Sequence, residues 1–428
     1  MHIREFSGKN VCILGFGKEG QSILRALNAH ATHCEITIAD RNASLVAPPE
    51  KCWLQVGTGW LMNLEKFDVL IKSPGIPPSI LHTHSSLLTN ATQIFLDTVA
   101  EDRATVIGVT GSKGKSTTAS LIFELLTAAG KNASLIGNIG NPALDYLERS
   151  QENAFFVLEM SSYQLMDVTR SPHIAVVTSF FPEHLDYHGS LEAYKEAKKH
   201  VTRFQTEEDL VFFLHDSPGA REIAEESAGK KIPFGPQDAP VAIGETKLLG
   251  VHNLSNIAAA WKVAQELGIP KETCLDVFRN FHGLPHRLQD LGVFHDITWV
   301  DDAISTTPES TIAALDALGS RVATVILGGQ DRGNDFSELA KRIKGSSVRT
   351  VILFPGSGPR IRKVLEDAEA TVTFHDADSM EDAVRIAQES TPDGMICLLS
   401  TASPSYGMFK NFEDKGDQFK QWIGTGNA

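Results

Sequence analysis

Residues 108–118 read Gly-Val-Thr-Gly-Ser-Lys-Gly-Lys-Ser-Thr-Thr and join the β-branched run ATVI to the apolar-periodic stretch TASLIFELLTAAG. A strand, a glycine-rich turn and a helix start, in that order, aim backbone N–H groups and a helix dipole at a phosphate. Gly111 and Gly114 free the backbone to wrap phosphates, along a turn that runs through Ser112 and Lys113 to Thr117. Lys115 supplies charge for the terminal phosphates and Ser116 a hydroxyl for Mg²⁺. The usual spacing puts two glycines five positions apart, but Val109 occupies the first, leaving a shorter GxxGKS form. Three further groups follow. Glu159 ends the strand FFVLE, where a nucleotide hydrolase places its metal acid. His184 lies in FFPEHLDYHG, just past the strand IAVVTSF, again on the carboxyl edge. His184 and His188 would form a zinc pair only on a helix, whereas Pro182 and Gly189 predict a loop and no third ligand is evident. Lys198 sits in a helix for which Ser190 is the expected N-cap, and with Lys195 and Lys199 it reads as part of a solvated face.

A second glycine-rich turn lies near the start. Gly15-Phe16-Gly17-Lys18-Glu19-Gly20 follows the run VCIL and opens another apolar-periodic helix, and Asp40 closes the next strand twenty residues after Gly20. That is the nucleotide-binding βαβ pattern, in which Asp40 would grip a ribose hydroxyl. Ser73-Pro74-Gly75 ends the strand DVLIK on the same sheet edge. A nicotinamide dehydrogenase is the obvious rival. Only about 100 residues precede the next domain, however, which is room for a half-Rossmann unit holding one nucleotide.

These turns need sheets behind them. The chain has 428 residues, which suggests roughly three domains. The βαβ rhythm of VCILG, EITIAD and FDVLIKSPG defines residues 1–97; a central domain spans 98–282, and a third, with strands ITWVDD, ATVILGG, RTVILF and MICLLS, spans 283–428. All three are expected to be α/β: a Rossmann-like first domain, a P-loop ATPase-like second and a Rossmann-like third. Gly283-Leu284-Pro285 is the expected hinge. With 42% hydrophobic and 21% charged residues, disorder and coiled coil are excluded as overall descriptions. Thirty-nine basic residues against 53 acidic give a net charge of −14, which argues against a nucleic-acid or anionic-membrane partner. No apolar run approaches the roughly 18 residues of a membrane span, the start MHIREFSGKN does not read as a signal peptide, and five cysteines lack CxxC spacing. A cytoplasmic protein without disulfides or structural zinc is expected. His82, His84 and Trp60 carry no assigned role and are expected in the surface or core.

In order along the chain, GVTGSKGKSTTASL, LIGNIGNP, VLEMSSYQL, HLDYHGSLEAYKEAK, GVHNLSNIAAA, GLPHRL, LGGQDRGNDF and FKNFEDKGDQF resemble the Mur ligases, the ATP-dependent amino-acid ligases of peptidoglycan precursor synthesis. VLEMSSYQL, GLPHRL and FKNFEDKG are most similar to the glutamate-adding branch. The resemblance implies a ligase that adds D-glutamate to UDP-N-acetylmuramoyl-L-alanine through an acyl phosphate, as a monomer using ATP and two Mg²⁺ ions. L-glutamate-adding and other Mur-type ligases stand next, with a folylpolyglutamate synthase or an inactive nucleotide binder further off. It assigns Lys115 and Ser116 to phosphates and Mg²⁺, Glu159 and His184 to the metals, and a carbamylated Lys198 as a further metal ligand. Asn253 and Asn256 fall near the adenine, and Arg287 and Asp302 on ATP. The UDP substrate falls on Gly17, Lys18, Asp40, Arg41 and Ser73 to Gly75, with Asn138 and His184 at its muramoyl-alanine end. Arg332, Thr306, Ser405 and Phe412 fall on the incoming glutamate. Three departures stand out: Ile304 replaces a lysine in the Asp302–Thr307 stretch, Arg332 replaces the glutamate-binding lysine of some members, and STASPS replaces SPACAS. An arginine still grips a carboxylate with two parallel hydrogen bonds.

Overall fold

The structure is a computed structural model describing residues 1–77, 80–81 and 87–424; His82 and His84 lie outside the described residues. It divides into two compact units, one of residues 1–241 and 254–278 and the other of 242–253 and 279–428.

The first unit holds two parallel sheets. Strands β1 (Asn10–Leu14), β2 (Glu35–Asp40), β3 (Trp53–Val56), β4 (Val69–Lys72) and β5 (Leu87–Thr89) run in the order β3-β2-β1-β4-β5. Order reverses between β1 and β4, which opens the crevice where such sheets take ligands. The Gly15 turn leaves β1 and the Ser73 turn leaves β4, so both predicted turns flank that crevice. The edge strands β3 and β5 have weakly buried, irregular patterns and carry little sequence signal. The second sheet comprises β6 (Thr105–Thr110), β7 (Asn132–Gly137), β8 (Ala154–Glu159), β9 (Ile174–Val177), β10 (Leu210–Leu214) and β11 (Lys230–Phe234), ordered β11-β10-β9-β6-β8-β7. β6 lies between β8 and β9, so the carboxyl ends of these three strands adjoin.

The helix Ala91–Glu101, started by Asn90 accepting from the Gln93 N–H at 2.8 Å, belongs to one apolar core shared by both sheets. Phe95 on this helix meets Phe156 of β8 edge-to-face at 5.1 Å, and both are essentially inaccessible. Burying each ring contributes about 2–3 kcal/mol. Trp60, partly buried, packs against the separate cluster around Leu14 and Phe67.

In the second unit, β12 (Gln289–Phe294), β13 (Ile297–Asp301), β14 (Val322–Gly329), β15 (Thr350–Gly356), β16 (Thr373–Asp376) and β17 (Ile396–Leu399) form a sheet ordered β12-β13-β17-β14-β15-β16. Only β12 is antiparallel to its neighbour. Apolar clusters cover both faces, and every residue of β14 is buried, as a continuous run of Val, Ile, Leu and Gly requires of a doubly covered strand. All five cysteines are free thiols. Among the described residues no helix is long and apolar enough to cross a membrane.

Candidate active site

The turn after β6 is held open by its glycines. Gly111 and Gly114 have φ of +145° and +87°, where an L side chain is strained, and a Cβ on Gly114 would run into the Asn256 amide oxygen. Strand-end hydroxyls brace the turn: Thr178 Oγ1 donates to the Lys113 carbonyl at 2.6 Å, and Ser179 Oγ accepts from the Lys113 N–H at 2.9 Å. Ser112 Oγ donates to the Phe181 carbonyl at 2.8 Å. Asn256 lies 3.3 Å from Thr118 Oγ1, on the first turn of the helix Lys115–Ala128. Lys115 Nζ curls back onto the Ser112 carbonyl at 2.8 Å, and Lys113 pairs with Glu183 at 2.7 Å. Ser116 is half-buried and Thr117 buried.

Glu159 comes from the next strand and is 1% exposed. Its Oε1 accepts from Asn138 Nδ2 at 2.8 Å, while its Oε2 is buried with no hydrogen-bond partner. Lys198 departs from its reading as a solvated residue. Ser190 caps the helix Leu191–Lys199 as expected, with the Ala193 N–H at 3.1 Å. Lys195 pairs with Glu222 at 2.7 Å and Lys199 with Glu226 at 3.1 Å, on the flank of the helix. Lys198 turns inward and is 1% exposed, donating to the Gly111 carbonyl at 2.8 Å. Burial first, then the neighbouring Lys115 cation, push its ammonium well below the usual lysine range, against the pull of Glu183 and Glu159.

His184 also differs from its reading. Its φ is +56°, and it opens a single helical turn, Leu185–His188, where a loop was expected. The ring is exposed, 5.0 Å from that of Tyr163, and His188 Nε2 lies 2.9 Å from Ser162 Oγ. The described residues include no group of three His, Cys, Asp or Glu placed to hold a metal, so a zinc pair finds no completing ligand.

At the first sheet, Gly17 precedes the helix Lys18–His30. Asp40 spends both carboxylate oxygens on backbone: Oδ2 accepts from the Phe16 N–H and Oδ1 from the Asn42 N–H, each at 2.8 Å. It therefore clamps the turn, and only its remaining lone pairs are left for a ribose hydroxyl. Ser73 Oγ donates to the Gly15 carbonyl at 3.0 Å, which ties the two turns together; Arg41 is exposed and Gly75 faces open space.

In the second unit, Asp302 follows β13 and is 3% exposed. It accepts from Ser400 Oγ at 2.8 Å and from the Leu288 N–H at 3.2 Å. Burial raises its carboxyl to about 6. Arg287 Nε and Ser405 Oγ are buried without hydrogen-bond partners. Arg332 is fixed at Nε by Gln330 at 3.2 Å and lies 5.9 Å from the Tyr406 ring. The Gln330 N–H donates to the Pro404 carbonyl at 2.9 Å, which brings the loops after β14 and β17 to one edge. Phe412 meets His286 edge-to-face at 6.1 Å, and Thr306 is half-buried. Asn253 is buried, its Nδ2 donating to the Leu249 carbonyl at 2.9 Å. Lys415 was missed: it is buried in a lysine-poor core, bonded to Thr401 Oγ1 at 2.6 Å, and burial lowers its ammonium to about 8 against the pull of Asp301 and Asp302.

A phosphate-type turn and a buried acid on adjoining strand ends, with Rossmann-like sheets on either side in sequence, define the class: a P-loop α/β protein built on three sheets. Residues 109–243 match the Mur ligase middle domain and 286–402 the Mur ligase glutamate ligase domain. The chain is 33% identical to the UDP-N-acetylmuramoylalanine–D-glutamate ligase of Streptococcus mutans, over 98% of this chain and 97% of that one. It is 35% identical to the UDP-N-acetylmuramoyl-L-alanine–L-glutamate ligase of Salinispora tropica, over 99% of each. The crystal structure of the MurF ligase of Thermotoga maritima in complex with ADP shares the fold, with a TM-score of 0.59 and 16% identity over 99% of this chain and 96% of that one. This chain belongs to the Mur ligase family.

Proposed function

We propose that the chain is an ATP-dependent ligase that joins D-glutamate to the alanine carboxylate of UDP-N-acetylmuramoyl-L-alanine in peptidoglycan precursor synthesis, as a cytoplasmic monomer. In this reading residues 1–97 take the UDP substrate, 98–282 ATP, and 283–428 the amino acid. The observation that carries it is the unpartnered Oε2 of buried Glu159 on the strand end beside the Lys115 turn, together with full-length relatives that are both muramoyl-alanine–glutamate ligases. An orphaned buried carboxylate oxygen is costly unless a cation completes it. Glu159 and Ser116 carry the oxygen ligands Mg²⁺ takes and would hold it, with His184 as a further holder in this reading. Bound there, the ions would offset the repulsion between a carboxylate and a triphosphate.

Lys198 fits the same reading. Burial pushes the Lys198 ammonium toward its neutral amine, the form that would add CO₂ by forming an N–C bond and losing a proton to leave a carbamate. That converts a cation beside Glu159 into an anionic ligand. Lys115 would meet the terminal phosphates. The alanine carboxylate attacks the γ-phosphorus and the bond to ADP breaks, leaving an acyl phosphate. The glutamate amine, losing a proton, then attacks the acyl carbon, and phosphate leaves from the tetrahedral intermediate. Asn138 and His184 would position the muramoyl-alanine end, with Gly17, Lys18, Asp40, Arg41 and Ser73 to Gly75 on the UDP. Asn253, Asn256, Arg287 and Asp302 would grip ATP. Arg332, with its planar fork, would take the glutamate side-chain carboxylate beside Thr306, Ser405 and Phe412.

A second reading, with L-glutamate as the acceptor, is favoured by the 35% identity to the L-glutamate ligase and by Ile304 and Arg332 in the acceptor region. The test is product mass and phosphate release with ATP, Mg²⁺, UDP-N-acetylmuramoyl-L-alanine and either enantiomer. One glutamyl addition per ADP with the D form is expected. Product from the L form alone selects the second reading, and no glutamylated product from either overturns both.

A further inference from the structure

The two ligand turns of the first sheet are each bound to a segment of the second sheet that carries a proposed metal ligand. Tyr187, three residues beyond His184, reaches across to the other turn: its hydroxyl lies 2.8 Å from the Pro74 carbonyl and 2.9 Å from that of Ile76. Its one proton is shared between two acceptors that bracket Gly75. Fully buried Lys72 completes the strap, with Nζ 3.3 Å from the Ile76 carbonyl and 3.0 Å from Asp167. On the other side Gln164, five residues beyond Glu159, donates to Glu19 in the first turn of the glycine-loop helix at 2.7 Å. The Gln164 side chain is itself locked, its Oε1 accepting from the Ser161 N–H at 2.9 Å. Pro74 fixes the turn's φ and the Ile76 N–H closes it onto the Ser73 carbonyl at 3.1 Å, so what these donors set is where the turn sits relative to the second sheet.

We propose that Tyr187 is a positioning residue for the sugar-nucleotide substrate, fixing the Ser73–Ile76 turn in register with the segment that carries His184. The inference rests on the UDP-substrate reading given above. Its ring packs on Tyr163 at 4.2 Å, so Tyr187→Phe keeps the packing and removes only the hydroxyl. In steady-state assays of the full-length enzyme, Tyr187→Phe raises KM for UDP-N-acetylmuramoyl-L-alanine about fivefold, as the loss of one neutral hydrogen bond implies, and leaves KM for ATP unchanged. Amide exchange quickens over residues 73–76 and stays the same over 111–114. An unchanged KM with unchanged exchange overturns the proposal, as does an equal rise in both KM values with a lowered melting temperature, which marks a general structural role. If the unsubstituted enzyme makes no product from this substrate, the functional reading fails and takes this inference with it.

Discussion

Replacing Lys198 separates its two roles, as packing and as chemistry. The side chain is 1% exposed, bonded to the Gly111 carbonyl at 2.8 Å and 4.9 Å from the Tyr194 ring. Lys198→Ala removes three buried methylenes, at about 0.8 kcal/mol each, and leaves Gly111 without its donor, at about 1 kcal/mol more. Against that stands relief from burying a cation next to Lys115, so the net loss of stability is expected at about 1–2 kcal/mol. Activity falls much further. Loss of one group that balances charge in the transition state is worth about 10²–10³ in kcat. Lys198→Ala leaves space at the turn that a small anion can enter, whereas Lys198→Met fills it. Phosphate-release assays with 0–200 mM acetate or formate should therefore recover activity in the alanine variant and none in the methionine variant; the concentration range is roughly that needed for weak anion capture. Indifference of the alanine variant to both anions, or an alanine variant as active as the parent, refutes the carbamate argument.

Lys115→Ala is expected to abolish ATP-dependent phosphate release with melting little changed, since the side chain is half-buried and its bond to the Ser112 carbonyl lies within one turn. Gly114→Ala should cost about 2–3 kcal/mol in stability and weaken ATP binding at least tenfold by calorimetry, because φ is +87° and the new Cβ meets Asn256. Asp302 has a folded-state pKa raised to about 6, so the folded state keeps its proton after the unfolded chain has released it, and stability falls as pH rises from about 4 to 6. Urea unfolding of Asp302→Asn should lack that contribution, so the gap between variant and parent shifts in the variant's favour by about 2 kcal/mol between pH 4 and 7; a constant gap refutes it.

The phosphate turn was legible because Gly-Lys-Ser at a strand-to-helix junction is a local pattern, and the βαβ order of the first sheet because its central strands are continuously apolar. What stayed hidden was set by distant packing. Lys198 looks solvated beside Lys195 and Lys199, and only the path of its helix past Gly111 turns it inward. Asp40 also holds the Phe16 and Asn42 amides, a bracing role that its place at a strand end does not announce. His184 enters the helical turn Leu185–His188 through a positive φ, between Pro182 and Gly189 that by themselves signal a loop. Tyr187, Gln164 and Lys72 find partners more than 90 positions away or on another strand end, and a lone buried polar residue carries no mark of its partner.

The most direct test is a crystal structure of the enzyme with a non-hydrolysable ATP analogue and magnesium. The triphosphate should lie along residues 111–116, with Lys115 on its terminal phosphate and a metal ion on the free oxygen of Glu159. A triphosphate bound elsewhere, with that turn empty and the Glu159 oxygen still unpartnered, would contradict the account.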